Sequence, residues 1–265
     1  MATHRQHYVP QMYLKNFASN KKCYVLDMHG TVRQRSIKSI CYEDDTYELT
    51  TVDGAVCNEN AFEKMFGQLE TIYEPFITEL IGTLDSNKSL KAFLIRDKNR
   101  ESLIMFMVSM LLRNPIVFGQ TQEAGRKCGI EWTKAQSRNN AILHNASLLE
   151  GWSMKLHKTH KIVVLKNISD VDFVTGSFPC AIMSTDENGD TTRGTLVLSP
   201  RYMVLLIDKK IREFKEDSVV PVNTFVVDEY NAKIIGNKAN KYVISRRDKE
   251  TLMRYKDMWE RRRDE

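Results

Sequence analysis

The sequence predicts an α+β fold: an N-terminal β-hairpin, a helical middle, and a small mixed or antiparallel C-terminal sheet closed by a terminal helix. Three observations predict it. Near the start, β-branched and aromatic runs flank the turn His29-Gly30. From about residue 59 to 157, apolar residues recur at three- and four-residue spacing. From about 160 to 245, short β-branched runs are bounded by Gly, Pro, Asp and Ser. No repeat, low-complexity tract or linker divides the chain, so a single α+β domain over residues 1–265 is expected.

The hairpin pairs Cys23 to Asp27 with Thr31 to Ile37, and Gly30 supplies the positive φ of a tight turn. The following CYEDDTYEL is polar and mixed and reads as irregular. Phe62, Met65, Phe66, Leu69, Ile72 and Tyr73 then start an amphipathic helix from about Glu59 to Leu84. Asn58 or Asn60 is its expected cap, and Pro75 predicts a kink or a break. A second helix, about Ser89 to Arg113, is apolar around most of its circumference and so belongs at the centre. Pro115 ends it by forcing Asn114 out of helical geometry. Further helices are expected near Gln120 to Lys134 and Asn139 to His157. KIVVLK, DFVTGS, GTLVLSP and YMVLLID read as strands, Thr224 to Ile235 as a helix, and Lys241 to Ser245 as a last strand. From Arg247 onward a charged helix is anchored by Leu252, Tyr255 and Trp259.

Composition narrows the function classes. The chain has 265 residues, 42% hydrophobic and 28% charged, which is ordinary for a protein with a sizeable core. The net charge of +5 permits contact with nucleic acid without demanding it. The five cysteines are odd in number and widely spaced, with no CxxC, which argues against a zinc ribbon or a disulfide framework. Reduced thiols fit a cytoplasmic protein. The longest apolar run, Leu103 to Leu112, falls short of the ~20 residues of a membrane span, and no apolar segment of signal-peptide kind follows MATHRQH. P-loop, GxGxxG, HExxH and GxSxG motifs are all missing.

Candidate chemistry starts in HRQHYVPQMYLKNF, residues 4–17. His7 titrates near neutral pH, so it either acts as a general acid or base or packs the segment into the core. Tyr8 and Tyr13 offer hydroxyl donors, and Gln11 offers an amide to a polar ligand. His4 and His7 stand three apart, but Pro10 argues against the helix that would make them a metal pair. Arg113 ends the apolar helix; it either binds that helix's last carbonyls or holds a phosphate or carboxylate. Glu63, Glu70 and Glu74 share a helix face, where carboxylates hold a divalent metal, share a proton, or face solvent. Ser177, in TGSFP, lacks a nucleophile elbow and suits a turn.

Several of these pieces together resemble one family. HYVPQMYLKNF is similar to the N-terminal signature of the bacterial domain-of-unknown-function family 4238: His-Tyr-Val-Pro-Gln, an aromatic, Tyr-Leu, then Phe. YVLDMHGTVRQRSIKSI leading to Thr46-Tyr47 resembles its hairpin, and LLRNP its arginine-proline helix end. DFVTGSFP followed by LVLSPRYMVLLI resembles its strand-end turn and its Leu-Ser-Pro strand, with Asn223 and Ala239 fitting a later segment. One departure stands out. The family usually reads Ser-Asp-Asn-Pro where this chain has Gly176, Ser177, Phe178 and Pro179.

The resemblance implies an accessory bacterial protein, with some relatives among phage-defence genes. The expected function is therefore an anti-phage effector acting on nucleic acid, as a nuclease. In that reading His7 and Glu70 are catalytic, and Tyr8, Gln11, Tyr13, Arg113 and Ser177 contact substrate. A divalent metal is the cofactor to consider. The alternative is a non-catalytic sensor or binding module that recognises a phage protein or a small ligand, and the missing aspartate favours it.

Overall fold

A computed structural model describes residues 4–51, 53, 55–58, 60–129, 134–184, 192–246 and 249–262. Strand β1 (Arg5–His7) and a single turn of helix α1 (Gln11–Leu14) carry the N-terminal signature. The hairpin follows as β2 (Lys22–Leu26) and β3 (Val32–Ser36). Its turn closes because Gly30 takes φ +72° and the Asp27 carboxylate accepts from the His29 and Thr31 N–H groups.

The stretch expected to be irregular contains two strands. β4 (Tyr42–Asp44) pairs antiparallel with β1, and β5 (Leu49–Thr50) pairs with β6 (Val56–Asn58). A three-residue strand with polar residues shows no period that a sequence reading can detect. Its pairing partner lies some forty positions away.

Helix α2 (Ala61–Asp85) runs through Pro75 without ending there. Asn60 sits at its N-cap position but makes no side-chain cap bond; it takes φ +57° instead. The expected central helix is two: α3 (Leu90–Leu94) and α4 (Asp97–Leu112). Extended backbone at Arg96 separates them. Pro115 also does more than end α4. It opens α5 (Pro115–Lys127), with Asn114 accepting from the Ile116 N–H as its cap, because a proline is accommodated at the first helical position. Helix α6 (Lys134–Thr159) follows and packs on α4 and α5.

The C-terminal part supplies β7 (His160–Asn167), β8 (Thr175–Gly176), β9 (Cys180–Ser184), β10 (Thr192–Ser199), β11 (Tyr202–Asp208) and β12 (Ser218–Val222). Helix α7 (Thr224–Gly236), β13 (Val243–Ser245), α8 (Lys249–Met253) and α9 (Lys256–Arg261) complete it. The charged helix expected from Arg247 is thus two short ones, and Arg247 itself lies outside the described residues.

The larger sheet is ordered β12-β7-β11-β10-β9, antiparallel except for the parallel β12–β7 pair. The second is ordered β3-β2-β13-β8, so the early hairpin shares a sheet with two late strands. Helix α4 is the hub. Leu103, Ile104, Phe106, Met107, Val108 and Met110 are all buried, and α4 packs against α6 and β9. Arg100 ties it to the sheet by donating to Asp217 (2.8 Å) and to the His160 carbonyl (2.5 Å). Along β10, Gly194 and Leu196 face this helical layer, so Arg193 and Thr195 face the opposite way. No single helix among the described residues is long and apolar enough to cross a membrane.

Candidate functional site

The N-terminal signature is anchored by a residue that the sequence reading passed over. Gln6, fully buried in β1, donates to Glu48 (2.8 Å) and accepts from the Tyr47 N–H (2.6 Å). Glu48 in turn accepts from the Asn60 N–H (2.9 Å). One glutamine thereby fixes β1, the segment after β4 and the start of α2. Alternation along β1 is the only signal that could have found it: exposed Arg5, buried Gln6, half-buried His7.

Beside this network, four of the expected site residues come together. The Arg113 guanidinium donates to Glu70 (2.8 Å) and to the His7 carbonyl (2.5 Å), and lies 4.4 Å from the Phe66 ring centroid. The Tyr47 hydroxyl donates to the Arg113 carbonyl (2.7 Å). Arg113 is 3% exposed, and Glu70 is 27% exposed. The His7 ring packs on Tyr42 and meets Gln11 at 3.5 Å. Glu63, on the same face of α2 as Glu70, keeps a buried oxygen without a hydrogen-bond partner, and burial raises its carboxyl above the ordinary value. Glu74, one turn further along α2, pairs with Lys15 instead.

Burial, and then the Arg113 charge, hold the His7 imidazole below its usual 6.5. Unfolding returns it to that value, so the unfolded chain takes up the proton first. Stability therefore falls as pH drops below about 6.5 toward the folded value. His160, also depressed chiefly by burial, acts in the same direction. Glu63 acts in the opposite sense at lower pH. The unfolding free energy should decline as pH falls through and below about 6.5, and less steeply in His7→Gln. NMR titration of the His7 ring is the direct check, and a value at or above 6.5 would refute the assignment.

Tyr8 and Ser177 form a second group. Tyr8 is 3% exposed and lies against the Ser177 hydroxyl; burial raises its phenol far above the ordinary range. Ser177 Oγ accepts from the Lys241 N–H (2.7 Å) and the Tyr242 N–H (3.3 Å), and its carbonyl accepts from Asn114 Nδ2 (2.9 Å). The gap that these side chains leave with Glu43 holds about 10 Å³. Tyr13 stands apart from both groups, fully buried, donating to the Val197 carbonyl (2.6 Å) beside Thr175 (2.7 Å). Five free cysteines are present, and burial pushes the Cys23 and Cys180 thiols up to about 12. Among the described residues no three His, Cys, Asp or Glu side chains are placed to hold a metal ion.

A more spacious concavity lies elsewhere. A cleft of about 560 Å³ opens between the outer face of β9–β11 and helix α7. Met183, Thr195 and Met203 form its floor, and Tyr230 and Ile234 one wall. Arg193 and Lys233 bring positive charge to it. Its signal in the sequence is divided. Tyr230, Lys233, Ile234 and Asn237 lie at i, i+3, i+4 and i+7 on α7, and Arg193 and Thr195 lie two apart on β10.

A family model covers most of the chain. The family model described as "Protein of unknown function (DUF4238)" matches residues 5–249, and the chain belongs to that family. No curated protein and no solved structure matches it.

Proposed function

We propose that this DUF4238 member is a non-catalytic recognition module that takes a small apolar ligand in the cleft between β9–β11 and α7. The cleft itself carries the reading. Its volume falls within the range of small-molecule sites, and its walls are mainly apolar with a few polar groups. The signature residues support the same view. Arg113 commits both terminal nitrogens, to Glu70 and the His7 carbonyl, and keeps only a sealed Nε, and Ser177 Oγ spends its acceptor capacity on two backbone N–H groups. Groups so engaged position the chain and leave little for a substrate.

The neutral fluorophore N-phenyl-1-naphthylamine tests this directly. The full chain should bind it saturably at one site. Ala181→Trp, which fills the cleft from β9, should weaken binding by about tenfold or more while the protein stays folded. Equal binding by the variant would remove the reading.

A second reading, a defence effector that cleaves nucleic acid, is favoured by one observation. Glu63 retains an unpartnered buried oxygen and a raised pKa beside Arg113 and Glu70, the kind of perturbed acid that hydrolytic sites use. Incubation with RNA and DNA, with and without divalent metal, decides it. Intact nucleic acid in every case would discard it.

A further inference from the structure

Resting on the cleft as a ligand site, we infer the class of its ligand: an apolar molecule carrying one anionic group, whose charge is met by Arg193 and Lys233. The described lining has these two cations and no aspartate or glutamate. Its two amides are committed: Asn240 accepts from the Phe178 N–H (2.6 Å) and donates to the Ile234 carbonyl (2.8 Å), and Asn237 accepts from the Ala239 N–H (2.9 Å). The Thr195 and Tyr230 hydroxyls are neutral, so recognition of charge falls to the cations.

Both cations have capacity to spare. Arg193 reaches Glu213 through one terminal nitrogen at 3.2 Å and also meets the neutral Tyr230 hydroxyl, while its Nε is buried with no hydrogen-bond partner. Glu213 is 65% exposed. Lys233 pairs with Glu229 at 2.6 Å, one helical turn away, and that carboxylate is 50% exposed. Ion pairs this open to water are weak and screened by salt. An anion seated among Met203, Met183 and Tyr230 would meet the same cations in a less polar medium, where the attraction is stronger. Lys233 Nζ already lies 5.1 Å from the Tyr230 ring centroid, so the ammonium is held at the cleft wall. The two methionines adapt to varied apolar shapes, which suits a ligand defined by class more than by outline.

The test compares two dyes that differ by one charge: N-phenyl-1-naphthylamine and its sulfonated counterpart, 8-anilinonaphthalene-1-sulfonate. With the full chain at low salt, the sulfonate should bind about tenfold or more tightly than the neutral dye. Arg193→Met and Lys233→Met should each erode that preference, read as the ratio of the two dyes' affinities, whereas Lys233→Arg should keep it. Dodecanoate should displace the sulfonate at about tenfold lower concentration than dodecanol. Lys233 lies on the exposed side of α7, so its variant keeps the experiment interpretable if Arg193→Met fails to fold. Equal affinity for the two dyes, or a preference that survives both methionine substitutions, overturns the anionic class and leaves the cleft reading standing. Failure of both dyes to bind overturns both.

Discussion

Replacing Arg113 by methionine should cost about 3–5 kcal/mol of folding stability, the range seen when one partner of a buried ion pair is removed. The arginine sits almost sealed where three segments meet. It pairs with Glu70 of α2, donates to the carbonyl of His7 in β1, and stacks on Phe66. Methionine keeps much of the apolar stem but strands the His7 carbonyl. It also leaves Glu48, Glu63 and Glu70 without the cation that tempers their mutual repulsion. Arg113→Lys should recover only part of the loss, because an ammonium cannot reproduce the planar fork. Glu70→Gln should cost less, since Glu70 is partly solvated and its charge is screened. Urea denaturation of the three variants gives the order. A loss below about 1 kcal/mol for Arg113→Met would show that the arginine does not brace this junction.

Gly176→Ala should be comparably severe, for a steric reason. A Cβ at this position would fall on the Asn240 side chain, overlapping Oδ1 and lying 2.5 Å from Cγ and 2.7 Å from Nδ2. Asn240 cannot step aside cheaply: it is 1% exposed, and its amide joins the Phe178 N–H to the Ile234 carbonyl. Its own carbonyl accepts from Arg262 at 2.6 Å. Displacing the amide leaves two buried groups unpaired, at about 1–3 kcal/mol each. A double-mutant cycle separates clash from lost hydrogen bonds. If the clash acts through Asn240, Gly176→Ala adds little once Asn240→Ala is present. Full additivity of the two costs would sink this account. The same packing bears on the family resemblance, which places a serine at position 176. With Asn240 where it stands, that serine has no room.

The resemblance also places an aspartate at position 177. Here Ser177 Oγ accepts from two successive N–H groups at the start of the segment leading to β13. A carboxylate is a stronger acceptor for such a pair.

The hairpin, the helical middle and α7 were legible because each rests on local chemistry: Gly30 at positive φ, apolar spacing on α2 and α4, and the Asn223 cap accepting from the Val226 N–H. What escaped rests on distant partners. β12 reads poorly because Pro221 interrupts it, and it is tolerated because β12 is an edge strand of its sheet. The pairing of β1 with β4 joins two short polar segments with no period to detect. At the sites, Arg113 and Glu70 were named from their places on helices, and the structure brings them into contact. Gln6 and Glu48 were not named, because a buried amide looks like any surface glutamine until its partners are known. The cleft draws on three strands, a turn and a helix, none unusual alone.

Strand β13 inserts between β2 and β8, pairing Ser245 with Tyr24, and Trp259 Nε1 then donates to the Asp27 carbonyl (2.8 Å). During synthesis, β2 emerges long before its neighbour exists. At about 5–20 residues per second, roughly 10–45 s separate the two. The outer side of the hairpin is guarded throughout, because β3 carries Arg33 and Arg35 along it. The inner edge of β2 has no such guard and stays open to pairing with other chains until β13 emerges. Completion of this sheet therefore waits on a segment made about 220 residues later, and crowding of nascent chains is the condition under which it is most exposed to error.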